Sequence, residues 1–394
     1  MKQVIYLYLI PIAIFSCSSP KEQSLENEYG YSLIIVDSLE INVLGSPMLV
    51  DVSPMADRFA FYDYSSKEFL FTDSDGAIIG RFSKKGDTPD AYGFLMEFPG
   101  FIDEEQVALA GMNGVFVFDL GGNMVKKMSH PESLGGAGFM SFVGKGMETV
   151  NLAGKLYLLS KSVRTRDTYP REQKFYDTFK AFELIDVERE TFLEIVPFEE
   201  GSQFLDGNGY FESDYAPALE ASGDRLYVSF GGEPKLRVYK LSQSGAELES
   251  TVDLIIPGFE KLPVTSREEF YKGSVTIKGS TPAIRNIHVV DDYLILHCYG
   301  GIPESTMKEL DELWESGDQE ESERLYAKAA EEVSQGMLIL EKESLIQVGN
   351  IPFMEGVSTS GFASSDGFLW MQRSPNEEEE EDFLRIYKVR LVGK

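Results

Sequence analysis

A hairpin pattern of apolar strands recurs six times between residues 58 and 393 and dominates this sequence. Each copy opens with a turn and an alternating apolar strand, and the six opening segments begin at Ala56, Glu105, Gly154, Gly223, Asp292 and Asp366. A second alternating strand follows, over Phe69–Thr72, Val115–Asp119, Ala181–Ile185, Leu236–Leu241, Met337–Leu340 and Phe383–Val389. Radial repetition of small antiparallel sheets is typical of a β-propeller. The pattern therefore predicts an all-β, six-bladed β-propeller.

The predicted ring occupies residues 31–394, and one of its blades lacks a strand. The blades are expected at about 48–82, 93–128, 139–197, 212–255, 281–352 and 357–393. The sixth has only three strands of its own, whereas Leu33 to Val43 alternates without a hairpin partner. We expect this N-terminal segment to be the missing outer strand, because an open sheet edge exposes unpaired backbone groups.

The N-terminus predicts a location for the protein. Lys2 precedes about a dozen apolar residues from Val4 to Phe15, a run too short to span a bilayer. Residues 1–16 read as a signal peptide, and the end of this run resembles a bacterial lipobox, which implies lipidation of Cys17. Residues 17–30 are polar and predict a flexible tether. The prediction is a lipid anchor in the outer membrane of the cell envelope, with an ordinary signal peptide as the alternative.

Charge and cysteine content narrow the classes of partner. Lys and Arg number 36 against 65 Asp and Glu, so phosphate backbones would be repelled and no nucleic acid partner is expected. The acidity is interpreted as a solubility feature, with a basic or cationic partner as the alternative. If Cys17 carries lipid, Cys298 has no intrachain partner, which excludes a disulfide framework. Cys298 lies in an apolar run and is read as a core residue.

The connection after the first blade carries the residues of a family resemblance. Lys85 to Tyr92 reads Lys-Gly-Asp-Thr-Pro-Asp-Ala-Tyr, and it keeps Gly86 and Pro89 of a glycine-rich turn but not that turn's first glycine or its Glu. With the lipobox and the repeated blades, the chain resembles the bacterial six-bladed β-propeller lipoproteins, which share NHL and TolB-like architecture. The resemblance covers nearly the whole mature chain and implies the fold and the anchor, but no activity.

The longest inserts fall into two classes of connection. Within blades they join the second strand to the third, at 161–178, 299–336 and 374–382, and between blades they lie at 83–95, 198–212 and 256–281. In a four-stranded blade both classes emerge on the same face. Long loops on a rigid scaffold often carry function, so we expect binding on this face.

The insert at 161–178 is the densest basic segment of an acidic chain. Its cations are Lys161, Arg164, Arg166, Arg171 and Lys174. Arginine suits carboxylate or phosphate groups, and Tyr169 and Tyr176 could stack on a ring. Lys84, Lys85 and Tyr92 lie in an inter-blade connection, and we expect them on the same face, around the mouth of the central channel. The alternative is a solvated loop whose arginines pair with nearby acids.

The insert at 299–336 has a helical pattern, with an insertion expected over about 303–334. Met307, Leu310 and Trp314 share one face, and Leu325, Ala329 and Val333 share another. Thr306 with Glu309, and Asp318 with Glu321, have capping-box spacing, with Ser316-Gly317 as the turn between the helices. The predicted hairpin is either a lid or docking arm, or a pair of helices packed on the blades.

Residues with catalytic or metal-binding chemistry are few. The acidic run from Glu377 to Asp382 lacks the alternating ligands of a calcium loop and reads as a solvated hairpin tip. His130, His288 and His297 are the only histidines. His288 and His297 could converge on the channel, but the favoured interpretation is that they are core or hydrogen-bonded histidines. Zinc, P-loop and nucleophile-elbow motifs are absent from the sequence, and no catalytic residue, metal ligand or cofactor is predicted.

Two classes of function follow from these observations. The leading hypothesis is a membrane-anchored, non-enzymatic binding or scaffold propeller for a peptide, a glycan or an envelope protein. The alternative is a metal-dependent hydrolase or lactonase with its site at the central channel, since propeller enzymes gather single residues from several blades. Fold alone does not choose between them.

Overall fold

Six four-stranded antiparallel sheets form the protein, as the repeats predict. The computed structural model describes residues 30–132, 134, 144–269, 279–375 and 383–393. The predicted signal peptide, Cys17 and the tether up to residue 29 lie outside the described residues, as does the acidic run Glu377 to Asp382.

The first three sheets contain strands β2 to β13. Sheet one is β2 (Met48–Val52), β3 (Arg58–Asp63), β4 (Glu68–Asp73) and β5 (Ile78–Phe82). Sheet two is β6 (Leu95–Phe101), β7 (Gln106–Gly111), β8 (Gly114–Asp119) and β9 (Met124–Met128). Sheet three is β10 (Glu148–Leu152), β11 (Lys155–Lys161), β12 (Phe182–Asp186) and β13 (Thr191–Ile195).

The last three sheets contain strands β14 to β24 and the first strand of the chain. Sheet four is β14 (Pro217–Ser222), β15 (Arg225–Phe230), β16 (Lys235–Ser242) and β17 (Gly245–Asp253). Sheet five is β18 (Ala283–Val290), β19 (Tyr293–Tyr299), β20 (Gln335–Glu341) and β21 (Gln347–Ile351). Sheet six is β22 (Val357–Ser365), β23 (Phe368–Arg373) and β24 (Leu384–Gly393), with β1 (Tyr31–Ile41) outside β24.

The pairing of β1 with β24 joins the two ends of the ring. Tyr31 lies opposite Gly393 and Ile41 lies opposite Leu384, with a bulge between Ile35 and Asp37. The N-terminal strand thus occupies the outer position expected for it. It covers the edge of β24 with a ladder of backbone hydrogen bonds.

The core lies between neighbouring sheets. Each of the six main apolar clusters combines residues from two adjacent blades, as when Phe71 and Phe82 of sheet one pack with Phe118 of sheet two. The second strands of the blades are largely buried on both faces, as are the third strands of sheets one to five, which explains their nearly continuous apolar sequence. The fourth strands are more exposed, and β13 alternates exposed with partly buried residues before the buried Ile195.

The helical hairpin interrupts sheet five between β19 and β20, as predicted. Its helices are α3 (Glu304–Ser316) and α4 (Gln319–Glu332), while α1 (Gln173–Thr178), α2 (Glu212–Tyr215) and a 3-10 turn at Gln203–Leu205 are shorter. Asp318 caps α4, since its side chain accepts the backbone N–H of Glu321. Gly317 ends α3 at a φ of 87°, a left-handed conformation that glycine adopts readily. The predicted cap at Thr306 is wrong, because α3 already begins at Glu304 and Pro303 holds the capping position.

The strand order gives the ring two unlike faces. Connections from first to second and from third to fourth strands are short turns at one end of the blades, here called the turn face. The other end, here called the loop face, holds the second-to-third-strand and blade-to-blade connections, including α1 to α4. The first strand of each sheet lines the central channel, and each first strand runs from the loop face toward the turn face.

Candidate functional site

A short segment that leads into β10, here called the channel segment (residues 144–148), crosses the central channel. The N–H of Gly144 donates to the Ser360 carbonyl of sheet six at 2.7 Å, and the N–H of Gly146 donates to Val50 of sheet one at 2.7 Å. The N–H of Met147 donates to Phe98 of sheet two at 3.1 Å. The segment therefore joins the first strands of three sheets before it enters a fourth as β10.

Glycine is required at two positions of this segment. A Cβ on Gly144 would lie 2.4 Å from the Leu49 carbonyl oxygen, and one on Gly146 would lie 2.8 Å from Gly100 Cα. Real Cβ atoms do not approach backbone this closely, so only glycine lets the segment lie between the inner strands.

Lys145 extends the contacts of the channel segment to the remaining sheets. Its Nζ lies 2.6 Å from Glu148 Oε1 and forms an ion pair with Glu220 of sheet four. It also donates to the Ile287 carbonyl of sheet five at 3.2 Å. Burial disfavours the charged ammonium, but the carboxylates of Glu148 and Glu220 outweigh it and raise the pKa of Lys145 above its ordinary value. Lys145 is therefore a fixed positive charge inside the ring.

Carboxylates at the ends of the first strands connect neighbouring blades. Asp51 Oδ2 accepts the N–H of Phe101 at 2.7 Å, and Glu220 Oε1 accepts the N–H of Val289 at 3.1 Å. Burial raises the pKa of Asp51 to about 7. Burial also raises the pKa of Glu220 to about 8, although Lys145 acts in the opposite direction. Asp51 and Glu220 therefore titrate near neutral pH, above the pH range in which carboxylates ordinarily titrate.

A cavity of about 440 Å³ lies in the channel beside these charges. Its walls are the last residues of first strands and the turns that follow them, including Pro54, Ser222, Asp291 and Asp366, together with the channel segment. The cavity therefore lies toward the turn face, while the channel segment crosses the ring on its loop-face side. Its size is within the range of small-molecule sites.

His288 forms part of the cavity wall and His297 does not. His288 is 1% exposed; its Nδ1 lies 3.1 Å from Ser364 Oγ, and its Nε2 has no hydrogen-bond partner among the described residues. Burial, with the nearby charge of Lys145, lowers the pKa of His288 well below its ordinary value, so the ring is neutral. His297 packs against Phe353 and Phe362, with 4.7 and 5.6 Å between the ring centroids. One of the two histidines thus lines the channel cavity, while the other is a core residue.

His130 lies away from the channel cavity, and the described residues do not form a metal site. His130 Nε2 lies 2.8 Å from the Gly111 carbonyl oxygen, away from the channel cavity. Within the described ranges, no group of three or more His, Cys, Asp or Glu side chains has the arrangement of a metal site.

Two predicted ligand-binding arginines are paired inside the loop face. Arg164 forms an ion pair with Glu183, whose side chain is 5% exposed, and Arg166 forms one with Glu194. Arg166 also donates to Ser162 Oγ at 2.8 Å and to the Lys180 carbonyl at 3.1 Å. Both arginines are largely buried, so they are not the exposed loop charges that the sequence reading assumed. Their contacts match the alternative of arginines paired with nearby acids.

The other predicted site residues have diverse positions. Tyr92 and Tyr176 are 2% and 1% exposed and belong to the core clusters, so their rings are not available for stacking in this conformation. Tyr169 is exposed and lies under the Arg171 guanidinium at 5.6 Å. Lys84 pairs with Asp90 at 2.6 Å, and Lys85 is exposed. Of the predicted set, Lys85 and Tyr169 lie exposed on the loop face, with Arg171 beside Tyr169; a binding role there stays a prediction.

Sequence reasoning missed the charged residues of the channel. Asp51 and Glu220 interrupt apolar first strands close to their turns, and His288 has the same position in β18. A polar residue near the end of several first strands is therefore a usable signal for a channel site. No such signal marked Lys145, because it lies outside any strand.

Comparisons with known proteins find no family and only distant solved structures. The sequence matches no known protein family and no curated protein. Among solved structures, the PQQ-bound aldose sugar dehydrogenase from Streptomyces coelicolor is 10% identical, with a TM-score of 0.45 over 92% of this chain and 98% of that chain. A luciferin-regenerating enzyme is 7% identical, with a TM-score of 0.39 over 92% and 95%. The Myceliophteria thermophila Cps50 (Swd1) β-propeller domain is 10% identical, with a TM-score of 0.41 over 90% and 99%.

At these identities the likeness concerns fold and carries no argument about ligand or activity. None of the helices in the described part of the chain is long and apolar enough to cross a membrane.

Proposed function

We propose that this protein is a non-enzymatic binding propeller of the cell envelope, held at a membrane by lipid on Cys17, with its ligand site in the channel cavity. The observation that carries the proposal is the cavity of about 440 Å³ framed by the first strands of the ring. Concave sites of this size, walled by a preformed scaffold with a few polar groups, are typical of small-molecule recognition.

The polar groups of the cavity are held rigidly. Asp51 and Glu220 accept backbone N–H groups from the next blade, and Glu148 shares Lys145 with Glu220. Side chains fixed in this way present a preorganised surface, which reduces the entropy lost when a ligand binds. Since the channel segment crosses the ring on the loop-face side, a ligand would enter and leave at the turn face.

The membrane anchor rests on the sequence alone. The apolar run that ends at Cys17 and the polar tether after it support a lipoprotein whose propeller lies outside the cytoplasm. Replacing Cys17 with Ala should abolish metabolic labelling with palmitate and release or misprocess the protein. A Cys17→Ala protein that still carries lipid and stays with the membrane fraction would contradict the anchor.

The cavity site is tested by filling the cavity. Thr149 lies on its wall in β10, so a Thr149→Trp variant would place an indole where the ligand is expected. A thermal-shift screen with cationic, neutral and anionic compounds should find ligands that stabilise the wild type and not this variant. A matched Thr306→Trp change on α3, far from the cavity, is the control. If every hit stabilises the Thr149→Trp variant as strongly as the wild type, the ligand binds elsewhere.

A further inference from the structure

We propose that the channel cavity recognises an organic cation through its alkylammonium groups. The inference rests on the proposed function and adds the chemistry of the ligand. It starts from the cavity wall, where five acidic side chains and one ammonium group lie. The acidic side chains are those of Asp51, Glu148, Glu220, Asp291 and Asp366, and the ammonium is that of Lys145.

The outer part of the cavity is acidic and open to solvent. Asp291 and Asp366 are both exposed, and both lie in turns between first and second strands. The described structure shows no ion pair for either carboxylate. A concave site lined by one sign of charge concentrates ions of the opposite sign. The wall therefore favours a cation at the entrance and disfavours an anion.

The inner part of the cavity wall includes a buried histidine with an unpartnered ring nitrogen. His288 is 1% exposed, and its Nε2 is unpartnered in the described part of the chain. In the tautomer whose Nδ1–H donates to Ser364 Oγ, 3.1 Å away, Nε2 of the neutral ring carries a lone pair. An ammonium N–H is a donor of the kind this nitrogen lacks, whereas a second acceptor there would leave it unsatisfied.

Lys145 shows that this environment stabilises an ammonium group. Its Nζ contacts Glu148 at 2.6 Å, the carboxylate of Glu220, and the Ile287 carbonyl oxygen at 3.2 Å. Carboxylates together with backbone carbonyls satisfy the three donors of an ammonium group. A ligand ammonium entering from the turn face would find the same two kinds of acceptor along the wall.

Calorimetric titration of the purified propeller at low salt tests the inference, with spermidine, tri-lysine and citrate as probes. The test variant is Asp291→Asn/Asp366→Asn. Both positions have a φ of 51°, a conformation that Asn tolerates, so the turns should persist. The control is Asp311→Asn/Glu312→Gln on exposed α3, which changes net charge equally at the opposite face.

We expect a cationic probe to bind the wild type and the control alike, and to bind the test variant about five- to tenfold more weakly, as for the loss of two partly exposed charge contacts. Binding of spermidine would indicate a free amine, and binding of tri-lysine alone would indicate a peptide amine. Equal weakening in the control, binding of citrate instead, or no binding of either cation would overturn the inference. If a neutral compound is excluded by Thr149→Trp while both cations fail, the cavity site stands and only this chemistry is wrong.

Discussion

Replacing Lys145 with Met should destabilise the ring strongly, because it leaves two carboxylates without their cation inside the protein. Lys145 and Glu148 are each 15% exposed at the side chain and Glu220 is 10% exposed. Removing one partner of a buried ion pair costs about 3–5 kcal/mol. With an unfolding entropy of about 0.8 kcal/mol/K, at ~2.1 cal/mol/K per residue for a chain of this size, a loss of 4 kcal/mol lowers Tm by about 5 °C.

The destabilisation should depend on pH with a definite sign. Without the ammonium, the pKa of Glu220 in the folded state, which burial already raises to about 8, rises further. A carboxyl whose folded pKa is raised costs no stability below its unfolded pKa, and the cost grows as pH rises toward the folded pKa. Because the wild-type Glu220 already holds its proton below about pH 8, the difference in Tm between wild type and Lys145→Met should be smallest at mildly acidic pH and should grow as pH rises through 8.

Two further variants distinguish this explanation from a packing defect. A triple variant with Lys145→Met, Glu148→Gln and Glu220→Gln keeps acceptors for the backbone N–H groups and should recover most of the lost Tm. Lys328→Met removes one partner of an exposed pair with Glu332, where 65% and 69% of the side chains are accessible, and should change Tm little. A pH-independent loss in Lys145→Met, with no recovery in the triple variant, would refute the electrostatic explanation.

Three other perturbations test separate parts of the ring. Asp51→Asn keeps an acceptor for the N–H of Phe101 and removes a carboxyl whose pKa is raised to about 7. In denaturant titrations the variant should therefore gain stability relative to wild type as pH rises from 4 to 8. A difference in stability that does not change with pH would contradict that pKa. Arg164→Ser leaves Glu183 buried and unpaired and should lower the free energy of unfolding in urea by about 3–5 kcal/mol. The control Lys174→Ser, on the exposed side of α1, should lower it little, and equal effects of the two changes would refute the pairing. Deleting residues 31–41 removes the ladder to β24 and the buried side chains of Leu39 and Ile41. Burial of each side chain stabilises the fold by about 1.5–3 kcal/mol, so the deletion should lower the melting temperature. An unchanged melting temperature would contradict the ring topology.

The fold was predictable because each blade repeats the same local pattern. Second strands such as β3 and β15 carry consecutive buried apolar residues between turns, and periodicity alone locates them. The closing strand β1 was predictable from the missing strand of sheet six. The exact start of α3 was not, since Pro303 is its N-cap residue and the capping-box spacing in the sequence lies three residues later.

The candidate site was harder to predict because it depends on long-range contacts. Lys145 meets Glu220 across 75 residues and the Ile287 carbonyl across 142, and no local pattern encodes either distance. Arg164 shows the opposite case: local composition suggested an exposed basic loop, but the fold places Glu183 beside it. Composition reports which charges a loop contains, whereas burial and pairing depend on strands far away in sequence.

The pairing of β1 with β24 sets an order on the folding of the chain. Tyr31 pairs with Gly393, so the backbone groups of the first described strand can be paired only after the last strand has been synthesised. Contacts of such sequence separation form slowly, because a long loop must be closed first. Until then Ile34 and Ile35 lie on an unpaired strand, in a segment able to pair with other chains. A chain interrupted before residue 384 would keep that strand permanently unpaired, which makes incomplete copies of this protein more prone to aggregate than the finished ring.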